Sequence, residues 1–299
     1  MDPEITSLSE SLVDELVGAV GLPKNVFWHS LFWRTFRGIT DRLATIGVTF
    51  DRLVGSDGLP AGSAWALTDF CNTIPVSGAE HIPQEGPLLV VSNHPGAYDG
   101  LVIFSKLVRK DIRWIGTEIP FLQKLPHVCD RILFASRTDA LNRMAVMRNA
   151  IRHLRSGSAL VYFGAGHRDP DPAVYPEAGK MMDRWLEGID FFFKHVPGLC
   201  LLPTLVSGVV SEKWAHHPIT FLRRKQIDKQ RLSEFGQIIT QLLFPRKLML
   251  SPFISFGPSA TEKELRNETQ SNSLLPAVIA REKALLVEHC WIYGGHPGL

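Results

Sequence analysis

Seven short apolar runs in the middle of the chain constrain its fold more than any other feature of the sequence. Helix-like segments separate several of them, for example 101–108 and 141–154. Strands that alternate with helices favour a sheet covered on both faces. We therefore predict an α/β fold with a central mixed, largely parallel β-sheet flanked by helices. The predicted strands are 73–76, 88–92, 112–115, 131–135, 159–163, 201–206 and 250–256.

The segments on both sides of these runs have helical periodicity. Apolar spacing predicts helices over 8–20 and about 26–54, and the tail over 261–291 is mostly helical. We therefore divide the chain into an N-terminal helical region (1–73), an α/β domain (74–260) and a C-terminal helical tail (261–299).

The second predicted helix carries an apolar face with basic residues beside it. Two interpretations stay open: peripheral contact with a membrane interface, or packing against the sheet or the helix over 8–20. Packing is favoured, because residues 1–93 hold 5 Lys/Arg against 11 Asp/Glu and would be attracted only weakly to anionic lipids. The apolar face comprises Trp28, Phe32, Phe36, Ile39 and Leu43, and the basic residues are Lys24, Arg34, Arg37 and Arg42.

Composition excludes several classes of protein. The 299 residues are 45% hydrophobic and 21% charged, which is typical of a globular chain. No run approaches the roughly 18 to 20 apolar residues of a spanning helix, and the acidic N-terminus does not resemble a signal peptide. The 4 cysteines form no Cys-x-x-Cys pair, and the histidines lack metal-ligand spacing. We expect a cytoplasmic protein without a metal or a bound cofactor.

The charge distribution is more informative than the total. A formal net charge of +2 argues against a nucleic-acid binder. Residues 94–180, however, hold 13 Lys/Arg against 8 Asp/Glu. This part of the chain is the place where an anion would bind favourably.

The segment 88–99 carries the most informative polar residues. A predicted strand ends at Asn93 and His94, Pro95 and Gly96 form a turn, and Asp99 stands where the next helix begins. The side chains of His94 and Asp99 can meet only if that turn folds back. An aspartate on one imidazole nitrogen would leave the other nitrogen as a general base. For an arbitrary pair of this kind, a loop histidine and a helix-capping aspartate are the alternative.

Two arginines follow other predicted strands. Arg168 lies in the glycine-bearing loop after 159–163, and Arg137 follows 131–135. Loops at the carboxyl ends of parallel strands converge on ligand sites, and a guanidinium suits a phosphate. The pair predicts an anion clamp; surface ion pairs with Asp139 and Asp169 are the alternative.

These blocks, in this order, resemble the glycerophospholipid acyltransferases. The blocks are Asn93-His94 with Asp99, then Arg137, then Phe163 with Gly166 and Arg168, then Leu202-Pro203. The resemblance extends over about 74–260. It implies acyl transfer from acyl-CoA or acyl-carrier protein, as co-substrate, to glycerol-3-phosphate or lysophosphatidic acid, with no nucleic acid involved.

The resemblance also implies roles for individual residues. His94 would be the base and Asp99 its partner, whereas Arg137 and Arg168 would hold the acceptor phosphate. Asn93, Pro95, Gly96 and Gly166 would support the site. The family's third block usually reads Phe-Pro-Glu-Gly-Thr-Arg, but here Gly164 and Ala165 replace Pro-Glu. Two other hypotheses remain: an acyl-CoA thioesterase, and a lipid-binding relative without catalysis.

Overall fold

The computed structural model describes residues 2–19, 26–136, 138–185 and 188–298, and it contains an 8-stranded sheet. The predicted α/β fold is confirmed, and two of the predicted strands, 88–92 and 159–163, have the predicted bounds. The strands are β1 (Val76–Ser77), β2 (Leu88–Ser92), β3 (Ile112–Gly116), β4 (Ile132–Phe134), β5 (Ala159–Phe163), β6 (Cys200–Ser207), β7 (Phe253–Phe256) and β8 (Ala260–Thr261).

The sheet is mixed, and its centre is parallel. The strand order is β1-β7-β6-β2-β5-β3-β4, and β8 pairs with β6. β2 lies between β5 and β6 and is parallel to both, with Leu88 opposite Ala159 on one side and Cys200 on the other. β7 and β8 run antiparallel to β6. The carboxyl ends of β2, β5 and β6 therefore meet at one edge of the sheet.

Helices cover the sheet and precede it. They are α1 (Pro3–Ala19), α2 (Val26–Asp57), α3 (Leu59–Leu67), α4 (Asp99–Lys106), α5 (Pro120–Gln123), α6 (Pro126–Cys129), α7 (Ala140–Arg155), α8 (Ala178–Met182), α9 (Gly188–His195), α10 (Glu212–Ala215), α11 (Gln226–Leu243), α12 (Glu262–Asn267) and α13 (Leu275–Tyr293). Two 3-10 turns span Ala79–His81 and Pro218–Leu222. Several of these helices, α11 among them, were not predicted from the sequence.

Alternate residues of β2 face two hydrophobic clusters. Leu88 and Val90 pack in the cluster that contains residues of α2, α3 and α4. Leu89 and Val91 pack in the other cluster, with residues of α7, α9 and α13. Since successive side chains of a strand point to opposite faces, helices bury both sides of this strand. β2 is fully buried, so packing on both of its faces holds its carboxyl end in position.

The helix predicted to be amphipathic packs inside the protein over its later part. Ile39 is buried, and Phe36 and Leu43 pack against the same cluster as β2. Ser9 of α1 donates hydrogen bonds to Thr40 and Asp41 of α2 at 2.9 and 2.7 Å.

The side chains of Trp28 and Phe32, and residue Lys24, lie outside the described part of the chain. Membrane contact through this helix therefore stays a prediction. Among the helices that the structure describes, none has both the length and the apolar character required to cross a membrane.

Candidate active site

Asn93 anchors the loop that leaves β2. Its Nδ2 donates to the carbonyl oxygen of Val206 at 2.8 Å, and its Oδ1 accepts the Val206 N–H at 2.9 Å. Both bonds are buried, and they join the end of β2 to the neighbouring strand β6. The residue that follows, His94, therefore starts from a fixed position.

His94 and Asp99 lie in contact across a turn that folds back. His94 Nδ1 is 2.8 Å from Asp99 Oδ2. Asp99, the first residue of α4, is buried and also accepts the N–H groups of Gly96 (2.9 Å) and Gly100 (2.6 Å). The His94 side chain is 27% exposed. One imidazole nitrogen is thus held by a fixed carboxylate, while the ring itself remains accessible.

Two contacts hold the turn between these residues in place. The Pro95 carbonyl accepts a bond from Gln230 Nε2 at 2.5 Å. Gly96 packs closely against Val209, since a Cβ at position 96 would lie 2.8 Å from Val209 Cγ2. Glycine is therefore required for this close approach, which agrees with its place among the predicted supporting residues.

Asp169, in the loop after β5, holds the main chain of His94. Its Oδ2 accepts the His94 N–H at 2.9 Å, and its own N–H donates to the His94 carbonyl at 2.9 Å. Burial raises the pKa of this carboxyl to about 6. Phe163, the last residue of β5, packs its ring against the imidazole of His94 at a centroid distance of 4.4 Å. The sequence analysis did not predict this contact between Asp169 and the His94 main chain.

Arg168 precedes Asp169 in the loop after β5 and pairs with a residue that the sequence analysis missed. Its Nη2 is 3.2 Å from Oε2 of Glu234, a buried residue on α11. Arg168 Nη1 and Glu234 Oε1 are both buried and have no hydrogen-bond partner within the described structure. Burial raises the pKa of Glu234 to about 7, although Arg168 acts in the opposite direction. The Asp169 carboxylate considered as a partner for Arg168 instead accepts the His94 N–H.

Arg137, the other half of the predicted clamp, lies outside the described residues. Asp139, which was its considered partner, caps the start of α7. Its carboxylate accepts the N–H groups of Leu141 and Asn142 at 2.8 and 3.2 Å. The clamp formed by two arginines therefore stays a prediction.

Asp171 joins the loop after β5 to the loop after β6. Its carboxylate accepts three consecutive backbone N–H groups, those of Gly208, Val209 and Val210, each at 2.9 Å. Burial raises the pKa of Asp171 to about 6. Since Val209 also contacts Gly96, the loops after β2, β5 and β6 form one connected structure around His94.

The polar face of α11 covers these three loops. Gln230 Nε2 donates to the carbonyls of Pro95 and Asp169, at 2.5 and 2.8 Å. Gln237 accepts the Ser211 N–H at 2.7 Å and donates to the Val209 carbonyl at 3.0 Å. Both glutamines are buried. They form hydrogen bonds with backbone groups of the loops that would otherwise be buried without a hydrogen-bond partner.

The departure in the third block has a steric basis. A Cβ at Gly164 would lie 2.2 Å from Cε3 of Trp185, whose side chain is buried. A proline at this position would therefore overlap the indole ring. Gly166, two residues later, has a φ of 63°, a left-handed conformation that favours glycine.

Comparison with known proteins finds a family model and solved structures that are similar to the chain. The family model described as Acyltransferase matches residues 73–187, which contain His94, Asp99, Arg137 and Arg168. The solved structure of the 1-acyl-sn-glycerophosphate (LPA) acyltransferase PlsC from Thermotoga maritima is similar at 17% identity, with a TM-score of 0.42 and coverage of 94% of each chain. No curated protein sequence matches the chain.

Proposed function

We propose that the chain, whose residues 73–187 match the family model described as Acyltransferase, moves a fatty acyl group from a thioester to a hydroxyl of a glycerol-phosphate acceptor. The donor is acyl-CoA or acyl-carrier protein, and the acceptor is lysophosphatidic acid or glycerol-3-phosphate. The contact of 2.8 Å between His94 Nδ1 and Asp99 Oδ2, beside an accessible imidazole, is the observation that carries the proposal.

The geometry supports general-base catalysis by His94. Asp99 accepts a hydrogen bond from the Nδ1–H group of His94, which leaves Nε2 as the basic nitrogen. Nε2 takes the proton of the acceptor hydroxyl as that oxygen attacks the thioester carbonyl. The tetrahedral intermediate then collapses, the C–S bond breaks, and the imidazolium returns its proton to the leaving thiolate. Base catalysis of this kind contributes about 10² to 10⁴ in rate.

Arg168 is the described residue best placed to bind the acceptor phosphate. It lies in the loop that also holds the His94 main chain, and its Nη1 has no partner in the described structure. An incoming phosphate would compete with Glu234 for the guanidinium, since Glu234 Oε2 lies 3.2 Å from Arg168 Nη2. Charged hydrogen bonds to phosphate are strong enough to shift that competition. Arg137 would supply a second cation.

The experiment that tests the proposal measures thiol release from palmitoyl-CoA with glycerol-3-phosphate, with lysophosphatidic acid, or with neither. We expect thiol release that depends on one acceptor, with the acylated product formed in equal amount. His94→Ala should abolish it, whereas His195→Ala, which changes a half-buried histidine at the end of α9, should leave it unchanged. Arg168→Ala should raise the acceptor KM more than it lowers kcat.

The alternatives give different results in the same assay. Thiol release without any acceptor, together with free fatty acid, would identify a thioesterase. Lysolipid binding that persists in His94→Ala, without turnover in the wild type, would identify a lipid-binding protein. Either result would refute the proposed acyl transfer.

A further inference from the structure

The segment 219–225, Ile-Thr-Phe-Leu-Arg-Arg-Lys, presents apolar side chains to solvent. Phe221 is 74% exposed and Leu222 is 78% exposed. They end the 3-10 turn Pro218–Leu222, just before α11. Thr220 is buried, and its Oγ1 donates to the His217 carbonyl at 2.7 Å. The turn is thus fixed from the inside while its apolar tips point outward, and we call 219–225 the docking segment.

The docking segment ends in three exposed cations, Arg223, Arg224 and Lys225. None of the three forms an ion pair with a carboxylate among the residues described here. A fourth cation, Lys229, places Nζ 5.8 Å from the centroid of the Phe221 ring. The nearby Asp228 lies 3.8 Å from Arg231 and so faces its own partner. The cations of the segment are therefore available to an anionic surface.

The docking segment lies close to the candidate active site. It leads into α11, where Gln230 contacts the carbonyls of Pro95 and Asp169. Five residues separate Lys225 from Gln230, which corresponds to about 8 Å along a helix axis at roughly 1.5 Å per residue. Glu234, one turn further, holds Arg168. A surface bound at 219–225 would therefore lie next to the loops around His94.

We infer that the docking segment binds the surface of an anionic lipid bilayer, with Phe221 and Leu222 inserted between headgroups and Arg223, Arg224 and Lys225 on lipid phosphates. Exposed apolar side chains beside unpaired cations are complementary to a bilayer, which has an apolar interior and an anionic surface. This inference rests on the proposed function, because an enzyme with a lysolipid acceptor or a long-chain product must exchange lipid with a membrane.

The test is flotation of the full chain with vesicles. One set contains phosphatidylglycerol and phosphatidylcholine, and the other contains phosphatidylcholine alone. We expect binding to the anionic set that weakens with salt. Arg223→Gln/Arg224→Gln/Lys225→Gln should lower the partition coefficient by roughly fivefold for each cation removed. Phe221→Ser/Leu222→Ser should lower it by about tenfold or more.

A matched control uses Val108→Ser, which changes an exposed apolar residue before β3, at the opposite edge of the sheet. It should bind vesicles as the wild type does. Phe221→Ser/Leu222→Ser should keep the wild-type thermal unfolding and its acyl transfer from a short-chain, monomeric acyl-CoA to glycerol-3-phosphate.

Three results would overturn the inference: unchanged vesicle binding in both multiple variants, equal binding to neutral and anionic vesicles, or a wild-type dimer that Phe221→Ser/Leu222→Ser dissociates. The last would identify a second copy of the chain as the partner. His94→Ala separates this inference from the proposed function, because it should lose turnover but keep vesicle binding. Docking that depends on 219–225 in a protein without turnover would leave the inference standing and refute the acyl transfer alone.

Discussion

Asp169 holds both polar groups of the His94 main chain. The carboxylate accepts the His94 N–H and the Asp169 N–H donates to the His94 carbonyl, each at 2.9 Å. The dyad with Asp99 orients the imidazole ring, whereas Asp169 fixes the position from which the ring projects. Two aspartates thus act on one histidine at different atoms.

Removal of the Asp169 carboxylate should impair turnover through this positioning. In Asp169→Ala the His94 N–H loses its acceptor, and a displacement of the base by about 1 Å can lower the rate about 10²-fold. Asp169→Asn keeps an oxygen acceptor and should recover most of kcat. Equal kcat values for the alanine and asparagine variants would show that the contact does not position His94.

Asp99→Asn tests the role of the dyad carboxylate. An amide can no longer stabilise the imidazolium, so kcat should fall by about 10² to 10⁴. Because the two Asp99 oxygens accept the N–H groups of Gly96 and Gly100, the amide NH2 of asparagine would leave one of these groups without its acceptor. We expect a lower thermal midpoint but an unchanged donor KM, as measured by thermal unfolding and initial-rate kinetics. A variant with wild-type kcat would contradict general-base catalysis by His94.

Glu234 should make acceptor binding depend on pH. Its pKa is raised to about 7, mainly by burial, so Glu234 ionises as the pH rises through neutrality and then competes for Arg168. Glu234→Gln should lower the KM for a phosphate acceptor by roughly tenfold well above neutral pH, and less below it, since a charged hydrogen bond is worth about 1.5 kcal/mol or more.

The matched control for Glu234→Gln is Asp228→Asn, on the same helix but paired with Arg231. Its KM should follow the wild type across the pH range. If Glu234→Gln instead shows a constant ratio to the wild-type KM at every pH, the titration of Glu234 does not control the acceptor site.

His289 should make stability depend on pH below neutrality. It is fully buried between the hydroxyls of Ser207 and Ser255, at 2.7 Å from each, and burial lowers its pKa to about 4. As the pH falls from about 6.5 to about 4, His289 is therefore protonated in the unfolded chain but remains neutral in the folded protein. The resulting loss of unfolding free energy is about 3 kcal/mol over that range.

Comparison with His289→Gln isolates this contribution. Glutamine can donate one hydrogen bond and accept another, but it does not titrate. In denaturant unfolding, the difference in unfolding free energy between wild type and variant should change steadily from about pH 6.5 to about pH 4. It should be constant above about pH 6.5. A difference that stays constant with pH would show that His289 does not titrate as described.

The central strands β2 and β5 were predictable because their signal is local. β2 and β5 are buried along their whole length, so their sequences are continuous apolar runs bounded by turn-forming residues. The Pro95-Gly96 turn and the aspartate at the start of α4 are also visible in a single segment. Side chains that meet across one turn can be inferred from spacing and residue type.

Helix α11 could not be predicted in the same way, because its buried face is polar. Gln230, Ser233, Glu234, Gln237 and Gln241 are all buried, so residue type does not distinguish the buried face of this helix from its exposed face. The segment from 226 to 243 also contains no proline, which is compatible with a helix. That Glu234 meets Arg168 depends on the packing of α11 over three loops, which no sequence spacing encodes.

The contact between Gly164 and Trp185 makes these two positions interdependent. A side chain at 164 has no room while the indole of Trp185 packs against Gly164, and loss of that indole would open a void beside the glycine. Relatives that carry proline at the first position should therefore have a smaller residue where this chain has Trp185. A designer who restores Pro-Glu at 164 and 165 must also replace Trp185, because a change at Gly164 or at Trp185 alone would give a less stable protein.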